Sequence, residues 1–141
     1  MPYTIGVIYA PSENAADFFN QLRAEILTLG NSNILLGGDF NIVPSHAEPS
    51  YNRDLLNHLG YNRRATEAFK SWSEDEELIE PFCLLNPLSR EFSYKVRNKK
   101  GLSKSRIDFF LVDNNSQNAF SECTYFMTPS KLFDHQLVTL T

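Results

Sequence analysis

Cysteine is scarce in this sequence, which has only Cys83 and Cys123 among its 141 residues. The two lie far apart, and neither belongs to a CxxC pair or a cysteine–histidine cluster. A structural zinc site is therefore not expected. Two cysteines could pair, but nothing suggests a secreted scaffold, so the sequence favours reduced thiols in an intracellular protein.

Long apolar runs and a surplus of positive charge are also absent. No stretch approaches the length that spans a membrane, and Met1-Pro2-Tyr3 has no features of a signal peptide. The formal net charge is −4, so no overall basic field draws the chain to nucleic acid. With 42% hydrophobic and 13% aromatic residues, residues 1–141 are expected to form one folded domain or part of a larger one.

The first third of the chain predicts a strand, a helix and a second strand. The β-branched and aromatic residues at 3–9 form the first strand. The helix is capped by Ser12 or Asn14 and ends at Gly30. Its apolar stripe, which we expect to face the core, consists of Phe18, Leu22, Ile26 and Leu29. A buried strand follows at 33–36, and this order implies a parallel pair joined by a right-handed crossover.

The middle of the chain is less regular. Residues 42–63 are interpreted as a long loop with one short helix near 54–59, because Pro, Ser, His and Asn are frequent there. A helix is expected over about 64–72. A second, short helix is expected to begin at Ser73, which forms a capping-box pattern with Glu76.

The last third predicts strands. Residues 91–96 alternate in polarity and 98–101 form a turn, so we expect a hairpin whose second strand is 107–112. Further strands are expected at 119–127 and 136–141. Together these elements predict an α/β domain with a mixed sheet layered by helices.

An acid and an amide follow the buried strand at 33–36. Gly37 and Gly38 allow a sharp turn and a close approach to a ligand. Asp39 and Asn41 are two residues apart, so they point the same way in an extended chain. Asp39 could orient and partly deprotonate a water, and Asn41 could donate to a phosphate oxygen without adding negative charge. Taken alone, the pattern also fits an ordinary turn after a strand.

A second acid interrupts an apolar strand. Alternation places Asp108 on one face with Phe110, where a carboxylate is costly to bury unless it is paired. His135 is the natural partner, because an aspartate can fix the tautomer of an imidazole. The side chains of the adjacent residues Asp134 and His135 point in different directions, so one of them can face a metal such as Mg²⁺ while the other faces the phosphate. A solvated strand edge for Asp108 and an ordinary loop position for His135 remain alternatives.

Four motifs, in this order, resemble the endonuclease/exonuclease/phosphatase family. They are Tyr9-Ala10-Pro11, Gly38-Asp39-Phe40-Asn41, Ser105-Arg106-Ile107-Asp108 and Asp134-His135. The local context is most similar to the apurinic-type endonuclease domain of non-LTR (LINE-type) retrotransposons. That context consists of Pro44-Ser45, Leu85-Asn86-Pro87 and Arg90-Glu91-Phe92-Ser93-Tyr94. The resemblance spans nearly the whole chain, and four ordered motifs together are a specific signal.

The resemblance implies a four-layered α/β sandwich with two central sheets. It also implies cleavage of a phosphodiester with Mg²⁺ (or Mn²⁺), which leaves a 3′-hydroxyl that primes reverse transcription. Tyr9 would hydrogen-bond the scissile phosphate, Asp39 would position the attacking water, and Asn41 would bind the phosphate or the transition state. Asp108 would hold His135, which would stabilise the pentacoordinate phosphate or act as a base.

The metal site differs from the family pattern. Asp134 would help to bind the metal, but the family's chief metal ligand is a glutamate in its N-terminal part. The first acid here is Glu13, which already lies beyond the first strand. We therefore expect only the C-terminal portion of the fold, without its N-terminal strands, because the sequence is truncated or another chain supplies them. Metal affinity is expected to fall steeply, and Phe133 replaces a serine of the family.

A basic segment precedes the strand that carries Asp108. It contains six cations and no acid: Lys95, Arg97, Lys99, Lys100, Lys104 and Arg106. In the related endonucleases this hairpin helps to choose the DNA target, so these residues are expected to bind DNA. A solvated hairpin with ordinary lysines is the alternative.

The sequence thus predicts a nuclear DNA endonuclease that nicks its target for retrotransposition. A reverse transcriptase could lie downstream in the same polyprotein. Two alternatives stay open. One is a phosphatase of the same fold that acts on a small or lipid phosphate, and the other is a truncated, non-catalytic remnant that self-associates or binds nucleic acid. An incomplete sandwich exposes an apolar face, which favours homo-oligomers.

Overall fold

The computed structural model describes residues 3–30, 33–44, 54–56, 62–129 and 131–141. The first elements are β1 (Thr4–Tyr9), α1 (Ala15–Thr28), β2 (Ile34–Asp39), β3 (Leu55–Leu56), α2 (Arg63–Asp75), β4 (Leu78–Ile79) and α3 (Pro81–Leu85). They are followed by β5 (Tyr94–Asn98), β6 (Gly101–Ser105), β7 (Asp108–Asp113), a 3₁₀ helix (Asn114–Ala119), β8 (Cys123–Phe126) and β9 (Leu137–Leu140).

The central sheet has the strand order β1-β2-β7-β4. β1 and β2 are parallel, whereas β7 runs antiparallel to both of its neighbours. The predicted parallel pair and the mixed α/β class are therefore confirmed. Two smaller antiparallel sheets, β3-β6-β5 and β8-β9, complete the described fold.

Helices α1 and α2 cover one face of the central sheet. The core between them is strongly aromatic, with Phe40 stacked on Phe109 at a centroid distance of 4.1 Å. Alternate strand residues such as Ile8, Leu36 and Leu111 face this core, because successive side chains of a strand point to opposite faces. Of the predicted helical stripe, Phe18, Leu22 and Ile26 pack in this core. Leu29 is exposed and follows the end of α1, and Phe19, which was not in the predicted stripe, is fully buried.

Three local predictions are wrong. The hairpin pairs β5 with β6 across residues 98–101, while 108–113 forms a separate strand of the central sheet. Ser73 does not begin a new helix but lies inside α2, where its hydroxyl donates to the Lys70 carbonyl. Residues 55–56 form a strand rather than part of a helix. The remainder of that predicted helix, like Ser45, lies outside the described residues.

The second face of the central sheet is largely open. Ile5, Val7 and Tyr9 of β1 are 73%, 90% and 80% exposed on this face. A groove of about 350 Å³, which also contains Phe110, runs between β1 and the start of β9. The β8-β9 sheet covers only part of the face, where Val138 and Phe110 belong to one apolar cluster. This exposed apolar surface agrees with the expectation of an incomplete sandwich.

The remaining sequence predictions concern the thiols and membrane spans. Cys83 and Cys123 are not joined by a disulfide, and burial raises the pKa of the Cys123 thiol to about 12. Within the described ranges, no helix combines the length and the apolar character that crossing a membrane requires.

Candidate active site

The register of the central sheet brings three motif residues to one edge. Tyr9 is opposite Asp39 in the β1–β2 pair, and Asp39 is opposite Asp108 in the β2–β7 pair. These positions come from distant parts of the sequence, but adjacent strand ends place them side by side. The sheet edge is therefore the physical basis of the cleft.

The two glycines before Asp39 make room for neighbouring strands. A Cβ on Gly38, where φ is +143°, would lie 2.0 Å from the carbonyl oxygen of Ile8. A Cβ on Gly37 would lie 2.5 Å from the ring of Phe110. Close strand packing at both glycines and the positive φ of Gly38 therefore account for glycine at these positions, and the predicted approach of a ligand stays a prediction.

A cleft of about 490 Å³ opens at this edge. The predicted residues that line it are Tyr9, Asp39, Asn41, Asp134 and His135. Glu13 and Tyr94 also line it, although sequence analysis gave neither a role. Five of the six residues expected to act on the phosphate or metal therefore share one cavity, and the sixth, Asp108, lies against His135.

Asp108 and His135 form a directly hydrogen-bonded pair. Nδ1 of His135 lies 2.8 Å from Oδ2 of Asp108, and the two side chains are 33% and 15% exposed, respectively. When Nδ1–H donates to the carboxylate, Nε2 is the nitrogen left for a ligand in the cleft. The ring of Tyr94 packs 4.8 Å from the imidazole, and Thr128 Oγ1 donates to the His135 carbonyl at 2.6 Å. Both contacts restrict the position of the imidazole.

Two hydroxyl groups hold the backbone of Asp108. Ser93 Oγ accepts from the N–H of Ile107 at 3.0 Å and from that of Asp108 at 2.9 Å. Tyr125 donates its hydroxyl to the carbonyl of Asp108 at 2.6 Å. Ser93 is fully buried, so the two N–H groups depend on it in place of water. In the sequence, Ser93 stands out only as part of the motif Arg90-Glu91-Phe92-Ser93-Tyr94, and a single hydroxyl beside a strand carries no signal of this role.

Asn41 links the ends of β1 and β2. Its φ is 50°, its backbone N–H donates to Asp39 Oδ1 at 2.9 Å, and its side-chain amide donates to the Ala10 carbonyl. An amide carries two N–H donors, so one remains for a ligand in the cleft. The arrangement is compatible with the expected phosphate contact, and it also explains how Asn41 stabilises the sheet edge.

Burial is the largest influence on Asp39 and raises the pKa of its carboxyl group. The nearby carboxylates of Asp108 and Asp134 raise that pKa further, while the Asn41 N–H and His135 lower it. The ionised carboxylate of Asp39 is therefore held at a cost in free energy, as is common where a site must later bind a cation or a proton.

Asp39→Asn is expected to stabilise the free protein at neutral pH. A raised folded-state pKa means that Asp39 stabilises the fold when protonated, and that this contribution is lost as pH rises through the folded-state pKa. Thermal midpoints measured against pH should show a gain at pH 7 that disappears below pH 3.8, the ordinary pKa of an aspartate in the unfolded chain. Glu67→Gln, on the exposed face of α2, is the control, and an equal gain in both variants would contradict the prediction.

The donor set of the cleft suits a divalent cation. Ligand atoms of Asp39, Asp108 and His135 lie within 4.8 Å of one another. Oδ2 of Asp108 is already engaged by His135, so Asp39 is the more available carboxylate of this group for Mg²⁺, which prefers carboxylates. The predicted ligand Asp134 lines the same cavity but does not belong to this group of three. A cation there would offset the repulsion that raises the pKa of Asp39. Asp39 was not among the predicted metal ligands, whereas Asp134 was.

The prediction that Arg106 binds DNA is wrong. Its side chain is fully buried and pairs with Asp54 at 2.8 Å and Glu80 at 3.0 Å. Its guanidinium also lies 4.9 Å from the centroid of the Phe82 ring. A group enclosed by two acids and an aromatic ring cannot reach a phosphate backbone. Arg106 instead joins β3, α3 and the approach to β7.

The other basic residues remain accessible on the β5–β6 hairpin. Arg97, Lys99 and Lys100 are exposed, and Lys95 and Lys104 are partly exposed. The hairpin lies beside the cleft, because Tyr94 forms an isolated bridge with His135 and the Lys95 N–H is bonded to the Asp134 carbonyl. The chain thus places cations next to the candidate active site.

Comparisons with known proteins give matches among solved structures. No family model matches the chain, and no curated protein matches it. An AP endonuclease from Archaeoglobus fulgidus superposes with a TM-score of 0.76 at 18% identity, covering 99% of this chain and 61% of that one. The 3′-5′ exonuclease NExo from Neisseria meningitidis superposes with a TM-score of 0.63 at 21% identity. That match covers 90% of this chain and 51% of the exonuclease.

A third match is the 3′ phosphatase NExo from Neisseria bound to a product DNA hairpin. Its TM-score is 0.61 at 20% identity, with 90% of this chain and 51% of that chain covered. The chain therefore spans between about half and three fifths of the solved structures with which it is compared. At these low sequence identities the TM-scores identify the fold alone. This chain has the α/β fold of AP endonucleases and related exonucleases and phosphatases.

Proposed function

We propose that the cleft hydrolyses a phosphodiester bond of DNA, with a divalent cation, and nicks one strand. The observation that carries the proposal is the convergence of Asp39, Asn41 and the Asp108–His135 pair on one cavity beside a basic hairpin. A carboxylate, an amide and an oriented imidazole together can position a water and stabilise charge on a phosphoryl group.

Each residue of the cleft has its own role in the proposed hydrolysis. Asp39, which lines the cleft, would orient a water and accept its proton. His135 presents Nε2 to the phosphate, and Asp108 holds the imidazole in the tautomer that this requires. Asn41 and Tyr9, which line the same cavity, are placed to hydrogen-bond the non-bridging oxygens. Bound Mg²⁺ or Mn²⁺, held by Asp39 and Asp134, would neutralise negative charge on the phosphate.

The charge distribution favours a polyanionic substrate that arrives with a cation. Glu13, Asp39 and Asp134 line the cavity, so a bare phosphate would meet several carboxylates. The hairpin beside it carries Lys99 and Lys100 at its exposed tip, which can attract a nucleic-acid backbone. A long nucleic acid satisfies both regions at once, whereas a small phosphate reaches only the cavity.

The biological role that we propose is target-site nicking by a retroelement. The nick would leave a 3′-hydroxyl as the primer for a reverse transcriptase encoded downstream in the same polyprotein, and the reaction would take place in the nucleus. The sequence motifs that resemble LINE-type endonucleases support this role, as does the basic hairpin, which could select the target.

Nicking of supercoiled plasmid tests the activity directly. We expect conversion to the open-circular form with Mg²⁺ or Mn²⁺ and none with EDTA. The assay should compare this chain with a longer version extended at its N-terminus. Release of phosphate from small phosphomonoesters, measured in parallel, separates the endonuclease from a phosphatase. Turnover of the monoesters with an intact plasmid would overturn the proposal in favour of the phosphatase.

A second candidate is a non-catalytic, self-associating unit, which the open face of the central sheet favours. β1 is an outer strand with no charged residue, and its apolar side chains Ile5 and Val7 are exposed. Natural sheets usually protect such an edge, so a second copy could pair there. Light scattering gives the mass in solution. A concentration-dependent dimer without nicking would favour this candidate, and a monomer would exclude self-association.

A further inference from the structure

Tyr125 of β8 connects the buried ion pairs of Arg106 to the Asp108–His135 pair. Its hydroxyl donates to the backbone carbonyl of Asp108 at 2.6 Å, and Nη1 of Arg106 donates to the same hydroxyl oxygen at 3.5 Å. The tyrosine is 9% exposed, and its ring packs edge-on against Phe82 at a centroid distance of 5.0 Å. No pattern in the sequence singles Tyr125 out, yet one buried hydroxyl contacts both groups of charges.

The chemistry of the two partners fixes the direction of both hydrogen bonds. A guanidinium has only N–H donors, so Arg106 can use the tyrosine oxygen only as an acceptor. The phenol has a single proton, which is then given to the carbonyl of Asp108. Arg106 itself is held by Asp54 at 2.8 Å and by Glu80 at 3.0 Å. The buried ion pairs thus orient the hydroxyl towards Asp108.

The carbonyl of Asp108 needs this donor because it lies where the central sheet is incomplete. The carbonyl of Ile107 points towards β2 and accepts from the N–H of Phe40 at 2.8 Å. Successive backbone carbonyls of an extended strand alternate in direction, so that of Asp108 points to the side of β4. In the described part of the chain, β4 pairs with β7 only at residues 112–113. The hydroxyl of Tyr125 therefore takes the place of a strand partner.

The residue whose backbone is held in this way carries the carboxylate that orients the imidazole. Oδ2 of Asp108 lies 2.8 Å from Nδ1 of His135, and a hydrogen bond of this length weakens steeply when its geometry changes. Ser93 fixes the N–H of Asp108, and Tyr125 fixes its carbonyl. Without the hydroxyl, this carbonyl would turn towards another donor, because buried backbone groups seek a partner. Such a turn would shift the carboxylate and, with it, the imidazole.

We propose that Tyr125 is a positioning residue for the Asp108–His135 pair, and that Arg106 directs its hydrogen bond. The buried ion pairs then serve the cleft as well as the stability of the fold. This inference rests on the proposed function for the reaction that the pair performs. The arrangement of the imidazole, which is what Tyr125 controls, can be measured without any substrate.

Tyr125→Phe removes the hydroxyl and keeps the ring that packs on Phe82. The rate of plasmid nicking per folded molecule should fall by roughly a factor of ten, the lower end of the loss seen when a residue that orients a site's ligand is removed. The KM for plasmid should change little, because Tyr125 is buried and does not line the cleft. Tyr3→Phe is the matched control, since it removes a hydroxyl beside Ser116, at the end of β1 remote from the cleft.

A second readout separates positioning from a purely structural role. The ¹⁵N chemical shifts of the His135 imidazole, assigned by their absence in His135→Ala, show how its proton is shared between Nδ1 and Nε2. We expect Tyr125→Phe to move them from the Nδ1-protonated ring towards a mixture of tautomers, and Tyr3→Phe to leave them unchanged. Ile26→Val, which weakens the main core away from the site, should also leave them unchanged while it lowers the thermal midpoint.

Imidazole shifts in Tyr125→Phe equal to those of the parent chain would overturn the positioning role. Nicking by Tyr125→Phe at the rate of Tyr3→Phe would overturn it as well. Absence of nicking by the parent chain would count against the proposed function instead, and the imidazole shifts would then decide the role of Tyr125 by themselves.

Discussion

Replacing His135 by alanine is expected to reduce plasmid nicking by about 10²–10⁴-fold, the usual contribution of a positioned acid–base group. The imidazole lines the cleft, and no second histidine lies in the described residues to take its place. Circular dichroism and thermal unfolding should be close to those of the parent chain, since the ring is one-third exposed. The initial rate of nicking, with Mg²⁺ in excess, is the measurement.

Asp108→Asn provides the sharper companion variant. An asparagine fits the same space, but its amide does not impose the same tautomer on the imidazole, so a loss of similar size is expected. The double variant should be hardly worse than either single one, because the two residues act as a unit. Glu67→Gln on α2 is the matched control and should nick normally. Unchanged nicking by the His135 variant would refute the mechanism.

The largest loss of stability is expected from Arg106→Ala. Burial disfavours the charged guanidinium, yet the negative charges of Glu80 and Asp54 outweigh burial and raise the pKa of Arg106 above its ordinary value. Removing the cation takes a positive partner away from the buried Asp54 and the nearly buried Glu80. Breaking a buried ion pair in this way costs about 3–5 kcal/mol, which is a large part of the stability of a small domain.

Urea unfolding of the variants measures this cost. Arg63→Ala, which breaks an exposed i,i+4 pair with Glu67, is the control and should cost less than about 1 kcal/mol. Arg106→Lys keeps the charge but loses the planar fork that reaches two acids, so it should fall between the two. A cost for Arg106→Ala no greater than that of the control would show that the buried cluster contributes little. In that case, a loss of DNA binding by Arg106→Ala would have to come from a direct contact between Arg106 and DNA.

Local patterns were sufficient for the first βαβ unit. Apolar strands at 3–9 and 33–36 and the stripe between them predicted a parallel pair, because alternation and a 3.6-residue period are properties of neighbouring residues. The end of α1 was misplaced for the same reason, since Leu29 continues the pattern although the helix has already ended. Element identity was therefore more predictable than element boundaries.

The hairpin error has a different origin. The alternation of 91–96 and 107–112 shows that both segments are strands, but it does not show which strand each one pairs with. In the structure, β5 pairs with β6, while β7 joins the central sheet beside β2. Pairing depends on the burial of side chains from distant segments, and a local pattern contains no information about it.

The burial of Arg106 illustrates the same limit. In the sequence it is one of six cations in a basic segment, and nothing separates it from Lys104. Its carboxylate partners, Asp54 and Glu80, lie 52 and 26 positions away in the chain. Only folding places these acids around it and makes a buried charge tolerable.

By itself, the sequence determined most of the strands and the main helices, which follow from local periodicity. It also determined which polar residues are available for phosphate and metal chemistry. Tertiary structure decided which of those residues act together. Asp39 faces Asp108 only because β2 and β7 are neighbours in one sheet, and Ser93 holds Asp108 only because folding brings its hydroxyl to the start of β7. The reason is physical, since strand order and burial are set by contacts summed over the whole chain rather than by any one segment.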